Sequence, residues 1–293
     1  MIYSIENEQL KIDVNSYGAQ LFSVYSKKSK TEYLWQGDPA FWKDRAHNLF
    51  PFIGRMYEGV FHYDGKEYPS RAHGLARYFE FALESKTENS LVFLLKDNED
   101  TRKEYPFAFE YRVTFILNGT ELVTRYEVTN TDDKTLICTF GGHPGINIPF
   151  GEGVFEDYYL EFSEKKAVTR QLLDETDSFM AEKSVPYELV DGTKIPLRHE
   201  LFTHDAVILE NTCGEVAIKC DKESRYVSMK YSDFKFIGFW QVAKPEAPYV
   251  CLEPWDALPA VAGKIVDLET KPHMTHVGVG EKAEASFTLT IHE

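Results

Sequence analysis

The sequence predicts an all-β protein, a large antiparallel β-sandwich with few short helices. Two observations carry this prediction: stretches of alternating apolar and polar residues recur along the chain, and turn-forming residues separate them at close intervals. Helical signals are few and short. Of the 293 residues 43% are hydrophobic, which is enough for one core, and the chain shows no internal repeat or Pro/Ser-rich linker. We therefore expect a single domain over residues 1–293.

The clearest local signals are turns. Asn-Gly or Asp-Gly between two alternating runs indicates a hairpin, because these residues tolerate positive φ. Two hairpins are predicted in this way: Val60–Tyr63 with Lys66–Tyr68 around Asp64-Gly65, and Tyr111–Leu117 with Leu122–Val128 around Asn118-Gly119. Further strands are predicted over Leu10–Val14, Gln20–Tyr25, Leu91–Leu95, Ala206–Leu209, Val216–Cys220, Tyr226–Tyr231, Phe236–Val242 and Ala285–Ile291. A short helix is predicted to start at Asp38, a capping residue that is followed by proline and runs on to Trp42.

Charge and composition exclude several classes of partner. The formal net charge of −15 disfavours nucleic acid and anionic membrane surfaces as main partners. The amino terminus lacks the basic and apolar regions of a signal peptide, and no apolar run approaches the roughly 20 residues that span a bilayer. We therefore expect a cytoplasmic protein.

The four cysteines lack the spacing of a metal site, so we expect buried free thiols.

Four segments differ from ordinary sandwich sequence and contain the candidate functional residues. They are Asn48–Arg55, Arg71–Arg77, Gly141–Asn147 and Val250–Trp255. Glu253 closes an apolar run, so we expect it to be buried, and a buried carboxylate must be paired, bind a ligand or have a raised pKa. His143 lies between glycines and a proline, which is typical of a tightly packed strand end. Taken one at a time, each is also consistent with an ordinary structural position: a surface turn for His143 and a strand edge for Glu253.

Taken together, the four segments resemble the aldose 1-epimerase family. The order is N-x-F-P-x-x-G-R, then His-Gly, then Gly-Gly-His-Pro, then Leu-Glu-Pro-Trp, and it runs from residue 48 to residue 255. Within the family, the chain is most similar to the LacX-like bacterial subgroup. The resemblance implies a galactose mutarotase-like β-sandwich and a cofactor-independent isomerase that interconverts the α and β anomers of a hexose.

The resemblance also implies the role of individual residues. The implied catalytic set is His143 as general acid, Glu253 as general base and His73 beside the sugar. The expected substrate-binding set is Arg55, Asp205, Asn48, Arg77 and Trp240. Trp255 and Phe140 are further aromatic candidates for stacking on the sugar, although general burial preferences favour core packing for any one of these aromatics.

Anomerisation requires few catalytic groups. A proton leaves the C1 hydroxyl while another reaches the ring oxygen; the ring opens, the C1–C2 bond rotates, and the aldehyde recloses on its other face. One carboxylate and one protonated histidine on opposite sides of a pyranose suffice. No metal, hydride carrier or electron sink is required, which agrees with the lack of P-loop, Rossmann and zinc signatures in the sequence.

Two other function classes stay open from the residues alone. One is a non-catalytic carbohydrate-binding sandwich, which has no reason to keep an acid and a base together. The other is a metal-dependent, cupin-like enzyme with His73, His143 and Glu253 as ligands, although the chain has no His-x-His pair. The sequence also does not specify the sugar or whether it is phosphorylated. Arg55, Arg71 and Arg77 can form a phosphate site, but Arg71 and Arg77 are also typical of solvated turns.

Overall fold

The computed structural model describes residues 1–176, 178–244 and 246–293, and strands dominate it. In chain order the strands are β1 (Ile2–Glu6), β2 (Leu10–Asn15), β3 (Gln20–Ser26), β4 (Ala46–Leu49), β5 (Val60–Tyr63), β6 (Lys66–Pro69), β7 (Ala82–Lys86), β8 (Ser90–Lys96), β9 (Phe109–Asn118), β10 (Glu121–Asn130), β11 (Leu136–Cys138), β12 (Gly141–Asn147), β13 (Tyr158–Phe162), β14 (Val168–Leu173), β15 (Met180–Tyr187), β16 (Lys194–Pro196), β17 (Val207–Glu210), β18 (Glu215–Cys220), β19 (Glu223–Lys230), β20 (Phe236–Trp240), β21 (Tyr249–Trp255), β22 (Val266–Asp267), β23 (Thr275–Val277) and β24 (Lys282–His292). The helices are α1 (Glu99–Glu104) and the 3-10 turns Tyr57–Gly59, Ala76–Tyr78, Phe155–Asp157 and His199–Phe202. The chain is therefore all-β with few short helices, as predicted.

Two large antiparallel sheets carry the architecture. One has nine strands in the order β16-β13-β18-β19-β24-β10-β9-β8-β7, and the other has seven in the order β15-β14-β17-β20-β21-β12-β4. Smaller sheets are formed by β1-β2-β3, β11-β23 and β22-β5-β6. One cluster of buried apolar side chains reaches from Ile5 to Ile291, so both large sheets contribute to a common core. No helix in the described part of the chain is long and apolar enough to span a membrane.

Both predicted hairpins form. In the first, Tyr63 pairs with Lys66, and Asp64 and Gly65 have positive φ, as a type I′ turn requires. In the second, Asn118 still belongs to β9 and pairs with Glu121, so the two loop residues are Gly119 and Thr120. The turn is thus one residue later than predicted, and the left-handed residue in it is Gly119, with φ 60°.

The other predicted strands are confirmed with shifts of a few residues at their ends. They correspond to β2, β3, β8, β17, β18, β19, β20 and β24. The helix predicted from Asp38 is wrong. The Asp38 carboxylate accepts a hydrogen bond from Ala40 N at 2.8 Å, and the Asp38 carbonyl accepts one from Phe41 N at 3.0 Å. The cap is therefore real, but it closes a single turn that does not continue as a helix.

The two faces of the seven-stranded sheet have different surroundings. One face packs against the nine-stranded sheet: a side chain at Gly142 would meet Phe287 of β24 and Tyr126 of β10, and the Tyr126 hydroxyl donates to Asn48 Oδ1 at 3.0 Å. Because successive side chains of a strand alternate between faces, His47 and His143 point to the other face. We call that side the outer face of the seven-stranded sheet.

The segment around His143 forms a strand rather than a strand end or a surface turn. Its residues Gly141–Asn147 form β12, between β21 and β4, and His143 is the third residue of this strand. The small residues allow close packing, since a side chain at Gly145 would lie 3.0 Å from Trp35 and 3.2 Å from Trp42. The glycines therefore mark close approach of neighbouring side chains and not the end of the element.

Gly74 offers a stability test of this arrangement. It has φ 75°, and a Cβ here would lie 2.7 Å from Pro51 N, beneath the carbonyl of Phe50. We expect Gly74→Ala to lower the free energy of unfolding in urea by about 2–5 kcal/mol, of which about 1–2 comes from the left-handed backbone and the rest from overlap. Gly280→Ala is the control, because Gly280 has φ 73° but open space around it, and it should lose only the backbone part. Equal losses would contradict the packing argument.

Candidate active site

A cavity of about 220 Å³ opens on the outer face of the seven-stranded sheet. Its lining includes His47 from β4, His143 from β12, Glu253 from β21 and Trp240 from β20. The volume lies below the ~300–1,000 Å³ of sites for drug-sized ligands, which fits a ligand the size of one sugar ring. We call this space the histidine cavity.

His143 and Glu253 lie side by side in the histidine cavity. In the β12–β21 ladder, Gly141 pairs with Trp255 and Gly145 with Cys251, and this register sets His143 opposite Glu253. His143 Nε2 is 3.2 Å from Glu253 Oε2, and the residues are 6% and 1% exposed. The acid and base candidates are therefore adjacent on neighbouring strands and in direct contact in the ligand-free protein.

Burial controls the protonation of this pair. Desolvation raises the pKa of Glu253 well above its ordinary value, and the nearby charge of Asp205 adds to the shift. Desolvation lowers the pKa of His143 well below its ordinary value, and the neighbouring His73, His47 and Arg77 add to it. Without ligand, both groups therefore favour their neutral forms, with one exchangeable proton between two atoms in hydrogen-bonding range.

His73 has a defined tautomer. Its backbone N donates to Gly54 O at 2.6 Å, and its Nδ1 accepts a hydrogen bond from Gly54 N at 3.2 Å. Since Nδ1 is an acceptor, the proton of the neutral ring lies on Nε2. Burial, together with Arg77, His47 and Arg55, lowers the pKa of His73 well below its usual value, so it stays neutral. The ring lies 5.4 Å from the ring of His143 and lines the histidine cavity.

Arg55 and Asp205 also line the histidine cavity. Arg55 follows Gly54 directly in the chain, and its guanidinium lies 4.8 Å from the ring centre of Phe179. Asp205 has φ 72°, and its Oδ1 accepts a hydrogen bond from Ala206 N at 2.8 Å. The structure thus brings seven of the eight residues expected in the site to one cavity.

The sequence analysis missed His47, the third histidine in the cavity. His47 Nε2 lies 3.3 Å from Asp44 Oδ2, the same oxygen that accepts a hydrogen bond from Arg77 at 3.0 Å. Burial lowers the pKa of His47 to about 4, so it is neutral beside His143, whose ring is 5.6 Å away. Burial alone would raise the pKa of Asp44, but His47 and Arg77 outweigh it and hold it below its usual value. The sequence Ala46–Leu49 does not alternate between apolar and polar residues, so no local pattern indicated that His47 faces the cavity.

Two expectations about substrate contacts need correction. Asn48 faces the nine-stranded sheet, where its amide donates to Gly18 O and Ala19 O at 2.9 and 2.7 Å, so it does not line the histidine cavity. Arg71 forms a two-pronged ion pair with Glu104 at 2.8 and 2.7 Å and lies outside the cavity. A cluster of three arginines is therefore not assembled at the site.

The aromatic candidates divide in the same way. Trp240 and Trp255 line the histidine cavity, and so does Trp42, which the sequence analysis did not single out. Trp42 stacks on His143 with ring centres 4.9 Å apart. Phe140 instead stacks on Tyr126 in the core between the sheets, at 6.1 Å, so it is not available to a sugar in this cavity.

The cysteines are free thiols. Cys138, Cys220 and Cys251 are buried as expected, whereas Cys213 is only half-buried. Cys251 lies beside the candidate pair. Its sulfur, one nitrogen of His143 and one carboxylate oxygen of Glu253 all lie within 4.8 Å of one another. These three residues could hold a metal ion. Within the described ranges His73 is not part of that set, so the metal-ligand set considered from the sequence differs from the one the structure assembles.

Comparison with known proteins identifies the family. A family model described as aldose 1-epimerase matches residues 1–261. This chain belongs to the aldose 1-epimerase family. The family acts on carbohydrates as isomerases, which makes a sugar the expected kind of substrate for this member.

Members of the aldose 1-epimerase family that are similar to this chain include proteins from Lactococcus and Lactobacillus. The plasmid and chromosomal LacX proteins of Lactococcus lactis subsp. lactis are each 33% identical to it over 99% of both chains. The structure of a galactose mutarotase related enzyme from Lactobacillus acidophilus is 36% identical, with a TM-score of 0.94 over 100% of this chain and 98% of the other. A galactose mutarotase-like protein from Lactobacillus casei is 28% identical, with a TM-score of 0.93 over the whole of both chains. The chain is thus a LacX-like aldose 1-epimerase family member with the galactose mutarotase-like fold.

Proposed function

We propose that this protein is a cofactor-independent aldose 1-epimerase that interconverts the α and β anomers of a hexose by acid and base catalysis of ring opening. The observation that carries the proposal is the contact of 3.2 Å between His143 Nε2 and Glu253 Oε2 at a cavity the size of one sugar ring. Buried carboxylate and imidazole groups with pKa values shifted by their surroundings are the usual equipment of proton-transfer catalysis.

The adjacency of the pair suits this reaction. The C1 hydroxyl oxygen and the ring oxygen are both bonded to the same carbon atom, so an acid and a base that serve them must lie close together. Glu253 takes the hydroxyl proton while His143 protonates the ring oxygen, and the ring opens to the aldehyde. After rotation about the C1–C2 bond, the two residues return the protons in reverse as the ring closes on the other carbonyl face.

The productive protonation state needs no exchange with solvent. Glu253 as carboxylate with His143 as imidazolium carries the same single proton as the neutral pair, so one transfer across their contact interconverts the two. A sugar bound in the cavity stabilises the charged form, since its hydroxyl donates to the carboxylate and its ring oxygen accepts from the imidazolium. Binding of the substrate thereby prepares the pair for catalysis.

The remaining cavity residues bind and orient the sugar in this scheme. His73 presents its Nε2 proton while it is neutral, because Gly54 occupies Nδ1. Asp205 and Arg55 supply a charged acceptor and a charged donor for hydroxyl groups, which strengthens hydrogen bonds relative to neutral partners. Trp240 offers an apolar face to the C–H surface of the ring.

Polarimetry on a panel of aldoses tests the proposed function. The panel contains α-D-glucose, α-D-galactose and their 6-phosphates, each followed to equilibrium with and without enzyme, at rates extrapolated to zero buffer. We expect at least one sugar to anomerise faster than its spontaneous rate in proportion to enzyme concentration. If no sugar is accelerated while equilibrium binding is detected, the protein is a carbohydrate-binding sandwich and the enzyme assignment is wrong.

Arg77 and Arg71 form a matched pair for the binding role. Arg77 lines the histidine cavity, whereas Arg71 is paired with Glu104 outside it. We expect Arg77→Ala to raise KM by about tenfold or more, since a hydrogen bond from a charged group contributes about 1.5–3 kcal/mol. Arg71→Ala should leave KM for the same sugar unchanged. A larger KM increase for the 6-phosphate than for the free sugar would assign the phosphate to Arg77, and equal effects of both variants would contradict a contact by Arg77.

A further inference from the structure

We propose that the ligand-free site binds one Zn²⁺ ion through His143, Glu253 and Cys251, and that bound zinc inhibits the enzyme by occupying both members of the acid–base pair. Zinc binding stands on the geometry of these residues alone. The inhibitory effect rests on the proposed function.

The donor set suits zinc. Imidazole, carboxylate and thiolate are the ligands that Zn²⁺ takes in proteins, and three protein ligands with water in a fourth position is the usual arrangement of an open zinc site. All three residues are buried, and their ligand atoms lie within 4.8 Å of one another. Hard cations such as Mg²⁺ prefer all-oxygen sites and are poor competitors for this set.

The spacing of the first two ligands also fits. His143 Nε2 and Glu253 Oε2 are 3.2 Å apart. If each lies about 2.0–2.1 Å from a zinc ion, the angle between them at the ion is about 100–106°, close to tetrahedral. A thiolate at about 2.3 Å from the ion would lie roughly 3.5 Å from each of these atoms. Cys251 is two residues before Glu253 in β21 and therefore points to the same face, so a side-chain adjustment of about an ångström brings its sulfur into range.

Access is provided by the histidine cavity. His143 and Glu253 both line it, whereas Cys251 is not part of the lining and belongs to a buried apolar cluster against which Trp42 and Trp240 pack. An ion entering from the cavity therefore meets the imidazole and carboxylate first. Because it occupies the atoms that transfer protons to and from the sugar, zinc and sugar exclude each other.

Equilibrium dialysis with Zn²⁺ tests the site directly. The dialysis uses protein treated with chelator, with bound metal counted by mass spectrometry, and Mg²⁺ serves as the control ion. We expect one Cys251-dependent Zn²⁺ per chain and no Mg²⁺ at the same concentration. Cys251→Ala and Cys251→Ser should weaken this binding by at least about tenfold, the lower end of the effect of disturbing a metal shell. Cys220→Ala, at a buried thiol on the nine-stranded sheet, should bind zinc as the wild type does.

Mutarotation assays then test inhibition. We expect chelator-treated enzyme to be fully active, zinc to raise the apparent KM with little change in kcat, and both Cys251 variants to keep their activity while resisting zinc. Unchanged zinc affinity in both variants would overturn the site, and activity that requires added zinc would overturn its inhibitory role. If wild-type protein accelerates no sugar, the dialysis still decides whether the zinc site exists, so the two proposals fail separately.

Discussion

Replacing His143 with alanine is expected to lower kcat by about 10²–10⁴-fold, the usual contribution of one general acid or base, with a much smaller change in sugar affinity. The reason is that proton delivery to the ring oxygen acts mainly in the transition state, whereas several other groups hold the ground state. Turnover is measured by polarimetry under saturating sugar, and affinity by quenching of the cavity tryptophans Trp42, Trp240 and Trp255.

Two comparisons keep this test specific. His143→Gln retains bulk beneath Trp42, which stacks on the imidazole, so it separates lost packing from lost acidity. His292→Ala removes a histidine of β24 that contacts Ser228 and Tyr226 instead of the cavity, and it should leave kcat unchanged. An alanine variant at position 143 with most of the wild-type turnover would rule out His143 as the acid, provided that its thermal unfolding is cooperative.

Much of the fold was accessible from local patterns in the sequence, because hairpins depend on residues close together in the chain. Asp64-Gly65 specified its turn and register, and Gly119 fixed the second hairpin to within one residue. Asp38 shows where local signals stop. Its side chain caps a turn as predicted, but a cap contributes about 1 kcal/mol and does not sustain a helix without an apolar face to bury.

The candidate site was accessible only in part, since its geometry arises from pairing of distant strands. Residues 143 and 253 stand out as a histidine among glycines and a glutamate after an apolar run, but their contact depends on the register between β12 and β21, which no local pattern specifies. Asn48 and His47 show that a shift of one position along a strand also changes the face on which a side chain lies. They are neighbours in β4, so they lie on opposite faces, and choosing Asn48 selected the wrong face by one position.

Replacing Glu253 with glutamine is expected to lower the catalysed anomerisation rate by about two to four decades while sugar affinity stays similar. Glutamine keeps the shape of the side chain and one hydrogen-bonding oxygen, but it cannot take the hydroxyl proton. Glu210→Gln is a suitable control, because Glu210 lies in β17, where its carboxylate accepts a hydrogen bond from Gln171 and pairs with Lys235. A binding module would have no catalysed rate to lose, so wild type and variant would both follow the spontaneous reaction.

The pH profile provides an independent check on the same substitution. The wild-type pair works with one exchangeable proton, so kcat/KM should fall at low pH, when the pair gains a second proton, and at high pH, when it loses its only one. Since burial raises the pKa of Glu253 and lowers that of His143, the high-pH fall reports ionisation of the carboxyl group and the low-pH fall reports protonation of the imidazole. In Glu253→Gln the carboxyl group is gone, and the residual rate should rise as pH falls and His143 becomes an imidazolium acid. A variant that keeps the two-sided profile of the wild type would place the base elsewhere in the histidine cavity, and Asp205, the other acidic residue in the described lining, would be replaced next.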